Sequence, residues 1–482
     1  MDEFATLATP DVVTLATRTI KDQEAFVVCD VSGDADVRRS HKFGFYLTGT
    51  RHLSRLALGL DGARPVVLFS SVSADGSELV VNLTNPDLPP HGDHGGGPPL
   101  PRERLFVQRR LILEGSRLAH SLYVRNFAGE PVRLVLALRF EADFADIFEV
   151  RGFVRQRRGE YLEPVTGPGR LALAYRGLDG VVRSTHVAFA PAPESMAVEG
   201  STVEARFPLS LGANDVEVLE LTVLPIETRP SEAATVVVDH LPYEGVRARR
   251  RSQVDEWQAS LPEVRSSHED FNRLLARSLA DLRLLSTIYP EGPYPAAGIP
   301  WYVCPFGRDG SITALESLWL DPRIAQGVLR FQAAHQATVD DPFVDAEPGK
   351  ILHELRRGEM ANLREIPFIP YYGSVDSTPL FLMLLAAYVR RTGDLDLARA
   401  LWPAAVAALE WIDRYGDLDG DGLVEYRSRS RSGLTQQGWK DSRDPIFHAS
   451  GRDAEPPIAL VEVQGYVYAA KRGMAVLSAR LG

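Results

Sequence analysis

Val132-Arg-Leu-Val-Leu-Ala-Leu-Arg-Phe140 places Val132, Leu134, Leu136, Leu138 and Phe140 on one face of an extended chain and Arg133 and Arg139 on the other. A period of two with charge confined to one side predicts a half-buried antiparallel strand. Working outward, short apolar runs recur at residues 25–28, 65–69, 79–82, 105–107 and 216–224. Turn residues separate them, at Asp61-Gly62, Asp75-Gly76, 126–129 and Asp179-Gly180. Many short strands without intervening helices predict a β-sandwich rather than a βαβ fold.

Near residue 255 the pattern changes to helical. Residues 244–259 predict a charged helix. Residues 271–285 predict an amphipathic one, with Leu274, Leu275, Leu279, Leu282 and Leu285 near helical spacing. Further helices are predicted over 309–320, 324–334, 379–389 and 458–481. The third of these is apolar on nearly every side, which predicts an inner, buried helix. Gly393 ends it and Asp394 caps the next, whose stripe is Leu397, Leu401, Ala405, Leu409 and Ile412. Pro403 interrupts that stripe, predicting either a kink or a second helix start. Successive helices joined by long, aromatic, acidic loops such as 288–308 predict an α/α toroid whose loops build one pocket.

Composition bounds the rest. The chain has 482 residues, beyond the roughly 250–300 at which single cores stop growing, so more than one domain is expected. With 45% hydrophobic and 24% charged residues it is globular rather than disordered. Its 53 basic and 64 acidic residues give a net charge of −11, which argues against a general nucleic-acid partner. No apolar run approaches the roughly 20 residues of a membrane span. The start, MDEFATLATPDVV, lacks the basic region of a secretory leader. Cys29 and Cys304 are too few and too distant for a disulfide framework, so a reducing, cytoplasmic setting is expected.

Four clusters carry chemistry: residues 301–309, 367–376, 436–444 and 457–466. Each sets aromatic rings beside charged or amide groups. Sugars want that combination, because their C–H faces pack on Trp and Tyr while their hydroxyls bond Asp, Arg, Glu and Gln. Four such clusters in one domain predict a carbohydrate site, with Glu354 and Glu359 as further pocket carboxylates. Other motifs read blandly. His91 and His94 sit in a Pro- and Gly-rich stretch, 85–101, read as a solvated loop. Residues 417–425 resemble the opening of a calcium loop, but Ser428 holds the position that needs a bidentate Glu, so a tight turn at Gly420 and Gly422 is expected. His353-Glu354 lacks the second histidine of a zinc helix, and Gly95-Gly-Gly97 lacks the strand, helix and lysine of a phosphate loop. No metal and no cofactor are expected.

The segments GRDGSIT, DAEPGKILHELRRGEM, YYGSVDSTPLFL, DGDGLVEY, QGWKDSRD and PIALVEVQGYVYAAK, with FEADFADIFEVRG at 140–152, resemble the bacterial glycogen-debranching, or amylo-α-1,6-glucosidase-like, family. The resemblance implies an α+β protein: an antiparallel β-sandwich over 1–243, a linker helix over 244–264, and a partial (α/α)6 barrel over 265–482. It implies inverting hydrolysis of α-glucosidic bonds in glycogen-like or oligosaccharide substrates, which needs one carboxylic acid and one carboxylate about 6.5–9.5 Å apart. The turn Trp439-Lys440-Asp441 matches the Trp-x-Asp that supplies the acid, making Asp441 the candidate, with Asp444 its rival and Trp439 stacking on the sugar. Lys440 is awkward beside an acid, since a cation lowers a carboxyl pKa; burial of Asp441 or a salt bridge from Lys440 to Asp444 would offset this. Arg308 and Asp309 match the pair that holds the 4- and 6-hydroxyls of the terminal glucose. Trp301, Tyr371, Tyr372, Asp376, Lys440, Glu462 and Gln464 would line the remainder, although Asp376 could instead cap the helix starting at Ser377.

Two departures stand out. Most relatives have Ser or Thr where this chain has Gly310. An (α/α)6 barrel also needs twelve helices, and residues 265–482 hold roughly half. The family's general base, a Glu late in the barrel, is expected beyond Gly482. The alternatives are therefore a catalytically incomplete carbohydrate-binding protein or fragment, and a β domain that serves as an assembly surface. A phosphorylase variant would need a basic phosphate pocket, for which no candidate stands out. The oligomeric state is left open.

Overall fold

A computed structural model of the chain describes residues 16–90, 99–231, 238–440 and 444–482. The N-terminal stretch, His91, His94, the glycine run 95–97 and Asp441 lie outside those residues. The described chain divides into two compact units, one ending at Leu284 and the other running Leu285–Gly482. The division comes later than residue 264, so both helices that follow the last long strand of the first unit belong to that unit.

In the first unit, strand Val132–Glu141 lies inside a five-stranded antiparallel sheet, in the order Ser195–Glu199, Thr202–Leu211, Val132–Glu141, Arg55–Leu60, Ala35–Asp36. Its alternation is realised. Leu134, Leu136, Leu138 and Phe140 are buried, Arg133 is exposed, and Arg139 pairs across the ladder with Glu204 at 2.6 Å. An eight-stranded antiparallel sheet forms the second layer, with Val182–Ala190, Val216–Thr228, Arg117–Asn126 and Leu105–Glu114 at its centre. The layers meet through rings: Phe189 of the larger sheet lies 5.8 Å from Phe140 and 6.0 Å from Phe207 of the smaller. Burying each such ring contributes roughly 1.5–3 kcal/mol. A four-stranded sheet, Thr17–Asp22, Ala25–Asp30, Gly44–Leu47 and Thr50–Leu53, completes the strands. The motif at 140–152 ends in a one-turn helix, α1 (Ile147–Val150), closed by a capping box between Asp146 and Glu149.

His52 is sealed inside this unit, where its carbonyl accepts a 2.7 Å bond from the Thr185 hydroxyl. Burial, helped by the nearby Arg183, lowers its pKa from 6.5 to about 3. The folded state therefore refuses a proton that the unfolded chain accepts. This contribution is whole above pH 6.5 and is lost as pH falls from there towards 3. Replacing His52 by Gln should flatten the stability–pH curve between pH 6.5 and 4 by up to about 1.4 kcal/mol per pH unit. Urea unfolding at several pH values reads this directly, and an unaltered slope would contradict it.

Helices α2 (Tyr243–Ala259) and α3 (Glu269–Leu285) close the unit. Tyr243 anchors α2, donating its hydroxyl to Glu78 at 2.7 Å beneath the Arg110 guanidinium, 4.4 Å from the ring centre.

The second unit opens with a surprise. Residues 288–308, expected as a long loop, largely form a three-stranded antiparallel sheet of Ser286–Tyr289, Gly292–Gly298 and Tyr302–Pro305. Sparse, proline-rich alternation hid it. Gly292, at φ +129°, lets the sheet touch the next helix pair: a Cβ there would lie 2.9 Å from the Gly327 Cα. The helices are α4 (Gly307–Ser317), α5 (Pro322–Ala334), the single-turn α6 (Glu359–Asn362), α7 (Ser377–Thr392), α8 (Leu395–Arg414) and α9 (Val461–Leu481). The first residues predicted for the last helix, Ile458 and Ala459, form a short strand instead.

Helix α4 packs on α7 and α7 on α9, while α5 and α8 back them. This is the inner and outer layering of a partial α/α toroid. As its composition predicts, α7 is buried on nearly all sides. Gly393 closes it at φ 75°, and Asp394 caps α8 by accepting from the Leu397 N–H at 3.0 Å. Pro403 lies within α8, which stays one helix. On α9, Val461, Tyr468 and Val476 form an exposed apolar stripe. Among the described residues no helix is long and apolar enough to cross a membrane.

Candidate active site

The N-terminal ends of α4, α7 and α9 are brought together by the loops before them. The segment 353–356 threads between the other two loops. Gly307 N–H donates to His353 O at 2.8 Å, Leu355 N–H to Pro305 O at 3.1 Å, Tyr371 N–H to Glu354 O at 2.9 Å and Arg356 N–H to Phe368 O at 2.8 Å. The passage is tight: a Cβ on Gly307 would fall 1.9 Å from the Leu352 carbonyl oxygen. Glu354 is not a free pocket carboxylate, since it is buried and paired with Arg356 at 2.7 Å. Arg356 in turn donates to the Trp301 carbonyl at 2.8 Å and so holds that cluster in place. Glu359 is buried at the start of α6.

Arg308, in the first turn of α4, is the hub. Its buried guanidinium meets Asp376 at 3.1 Å, donates to the Gly438 carbonyl at 2.6 Å, and lies 5.7 Å from the centre of the Trp439 ring. Asp376 does not cap α7 with its side chain. Its φ of −95° and ψ of −27° are already helical rather than extended, and its carboxylate is taken by Arg308 and by the Ser374 hydroxyl at 2.5 Å. The capping alternative is thereby corrected. Asp309, the next residue on α4, is partly buried. Gly310 has a physical reason: any Cβ there would lie 2.6 Å from the hydroxyl of buried Tyr294, which donates to Phe306 O at 2.8 Å.

Helix α9 contributes Glu462 and Tyr466. Burial first, then the negative charges of Asp376 and Glu462, raise the Tyr466 pKa against the opposing effect of Arg308. Arg308, Asp376, Trp439, Glu462 and Tyr466 thus share one electrostatic neighbourhood. Trp439 is 57% exposed, so its ring is open to a ligand. Lys440 and Asp444 are exposed, and no ion pair joins them among the described residues.

Other expected lining residues are committed elsewhere. Tyr371 is fully buried, donating to Asp345 at 2.9 Å and accepting from the Leu434 N–H at 2.7 Å. Tyr372 donates to His335 O at 2.8 Å. Gln464 clasps Val424 through both ends of its amide, at 2.9 and 2.7 Å. Their type suggested sugar contact, but their hydrogen bonds make them scaffold. Asp417, Asp419 and Glu425 bring carboxylate oxygens within 4.8 Å of one another. The loop's own amides reach those groups: Gly420 and Gly422 donate to Asp417, and Leu418 donates to Glu425. The two glycines, at φ +82° and +89°, make the tight turn that was expected.

Tyr466 closes the fourth cluster and Asp345 opens the motif DAEPGKILHELRRGEM, but the sequence assigns neither a role of its own. Asp345 is 1% exposed and left-handed at φ 53°. It accepts from the Arg429 and Ser430 N–H groups at 2.6 and 2.9 Å, from Gln437 at 3.2 Å and from Tyr371. It therefore fixes the segment that ends in Trp439. Asp345→Asn should weaken that bracket by about 1–3 kcal/mol, because an amide has half the acceptor capacity. Hydrogen exchange at 428–437 should quicken while the first unit stays protected; unchanged exchange there would refute the bracket.

Residues 20–222 match the family described as the N-terminal domain of (some) glycogen debranching enzymes. The glycogen-debranching-type domain coincides with most of the sandwich and relates the chain to carbohydrate-active enzymes. No curated protein matches the chain. Among solved structures, a protein assigned as a kojibiose phosphorylase from the human microbiome aligns with a TM-score of 0.54 at 9% identity, over 85% of this chain and 58% of its own. A bacterial glucoamylase complexed with acarbose aligns with a TM-score of 0.50 at 11% identity, over 84% and 59%. At such identities the likeness establishes fold: an antiparallel β-sandwich followed by a helical region. The chain spans under two thirds of either structure's length.

Proposed function

We propose that the chain provides the β-sandwich and the first half of the catalytic toroid of an inverting α-glucosidase of the amylo-α-1,6-glucosidase type. The observation that supports this reading best is the gathering of Arg308, Asp376, Trp439, Glu462 and Tyr466 at the N-terminal ends of three inner helices. Charged hydrogen-bonding groups beneath an exposed indole suit a terminal glucose, whose ring stacks while its hydroxyls are bonded. In this reading Arg308 and Asp309 hold the 4- and 6-hydroxyls, and Trp439 carries the ring face. Asp441 protonates the departing glycosidic oxygen as general acid, with Asp444 as the rival. A carboxylate elsewhere in the complete barrel activates water on the opposite face; none of the described residues is assigned that task.

The test follows glucose release from a branched α-glucan and from linear maltooligosaccharides by the full-length protein, alongside maltooligosaccharide binding by the 482-residue chain. Release from the branched substrate with inverted anomeric product supports the proposal, whereas neither release nor binding defeats it. Binding without release, even by the full-length protein, would favour the carbohydrate-binding reading.

A further inference from the structure

A groove of about 670 Å³ lies within the first unit, between α2, α3 and the turn at Asp75-Gly76. Beside the groove its two walls are joined. Gly76, at φ +69°, brings its backbone against Leu284 of α3, where a Cβ would lie 2.7 Å from the leucine Cδ2. Lys21 ties both walls, its N–H donating to Gly76 O at 3.1 Å and its ammonium to Leu284 O at 2.8 Å.

Six arginines and three acids line the groove, Arg250 and Arg283 among them. Arg250 is 3% exposed; its Nη1 donates to Asp22 at 2.7 Å, but its Nε has no hydrogen-bond partner. That Nε forms an ion pair with Asp75 at 3.6 Å, too long for a hydrogen bond, and Asp75 already accepts from the hydroxyls of Ser73 and Ser77. Arg283 of α3 meets no carboxylate within ion-pair distance among the described residues, and its guanidinium lies 5.8 Å from the centre of the Trp257 ring. Burial, then the like charge of Arg250, pushes the Arg283 pKa below its usual range against the opposing pull of Asp22 and Asp75. An Arg250 Nε held by Asp75 only at ion-pair distance, and an Arg283 with no ion pair among the described residues, would both gain from one bound anion. The indole beside them offers the apolar plate that a sugar ring favours.

We propose that this groove binds a phosphorylated monosaccharide, with the phosphate between Arg250 and Arg283 and the ring against Trp257. The site is independent of the helical loops and of the glycosidase reading. Titrating the 482-residue chain with glucose 6-phosphate, by calorimetry and tryptophan fluorescence, should show saturable binding accompanied by a fluorescence change. Arg283→Ala should weaken that binding about tenfold or more, Arg283→Lys should keep part of it, and Trp257→Phe should remove the fluorescence change. Circular dichroism melting confirms that each variant is folded; among the described residues the Arg283 side chain makes no hydrogen bond that α3 would lose. Inorganic phosphate should bind more weakly at the same place. Absence of saturable binding, or equal affinity in folded Arg283→Ala, overturns the proposal. Inorganic phosphate binding as tightly as glucose 6-phosphate overturns its sugar part.

Discussion

Asp441→Asn in the full-length protein is expected to cut the kcat for glucose release from a branched α-glucan by about 10²–10⁴-fold, with KM nearly unchanged. The amide keeps the shape of the carboxyl and its hydrogen bonding but cannot deliver a proton to the leaving oxygen. Substrate held by Trp439 and Arg308 would still bind, so the loss falls on turnover. Asp444→Asn is the necessary companion. If Asp444 were the acid, the large loss would move to that variant, and Asp441→Asn would be nearly silent. Leaving groups that need no protonation sharpen the test: an activated aryl or fluoride glucoside should recover most of its rate in the variant that lacks the acid. Undiminished turnover of natural substrate by Asp441→Asn removes it from the mechanism.

Arg308→Met is expected to lower the stability of the second unit by about 3–5 kcal/mol, the cost of leaving a buried charge without its partner. Asp376 is 1% exposed in its side chain and, among the described residues, would keep the Ser374 hydroxyl alone. The double variant Arg308→Met/Asp376→Leu should recover most of that loss, because a well-packed apolar pair does without both the charge attraction and its desolvation cost. Both proteins should fail to bind maltooligosaccharides, since each lacks the guanidinium. Urea unfolding followed through Trp fluorescence, with binding measured on the same samples, separates the two effects. A double variant no more stable than the single one would show that Arg308 acts through packing and the Gly438 carbonyl rather than through Asp376.

The architecture was legible wherever burial imposed a period. The strand at 132–140 and the all-round apolar helix at 379–389 were readable because a two-residue and a 3.6-residue repeat each decide which side meets the core. The sheet over Ser286–Pro305 was not, because its pairing rests on turn glycines and on contact with another helix rather than on alternation of its own. The site divides in the same way. Arg308 and Trp439 were singled out by type and they do meet. Tyr371, Tyr372 and Gln464 had the right chemistry for sugar, but their polar atoms are spent on Asp345, His335 and Val424. Composition near a pocket cannot reveal which partners a hydroxyl or an amide has already taken. Asp345 was invisible for the opposite reason: an acid among many gains its role only from the amides that fold around it.

The Gly310–Tyr294 contact carries a lesson for anyone redesigning this chain. Placing at 310 the serine or threonine that the family resemblance implies would drive a side chain into a phenol locked against a carbonyl. The two positions should be exchanged as a couple. A serine or threonine there would need something slimmer than tyrosine at 294.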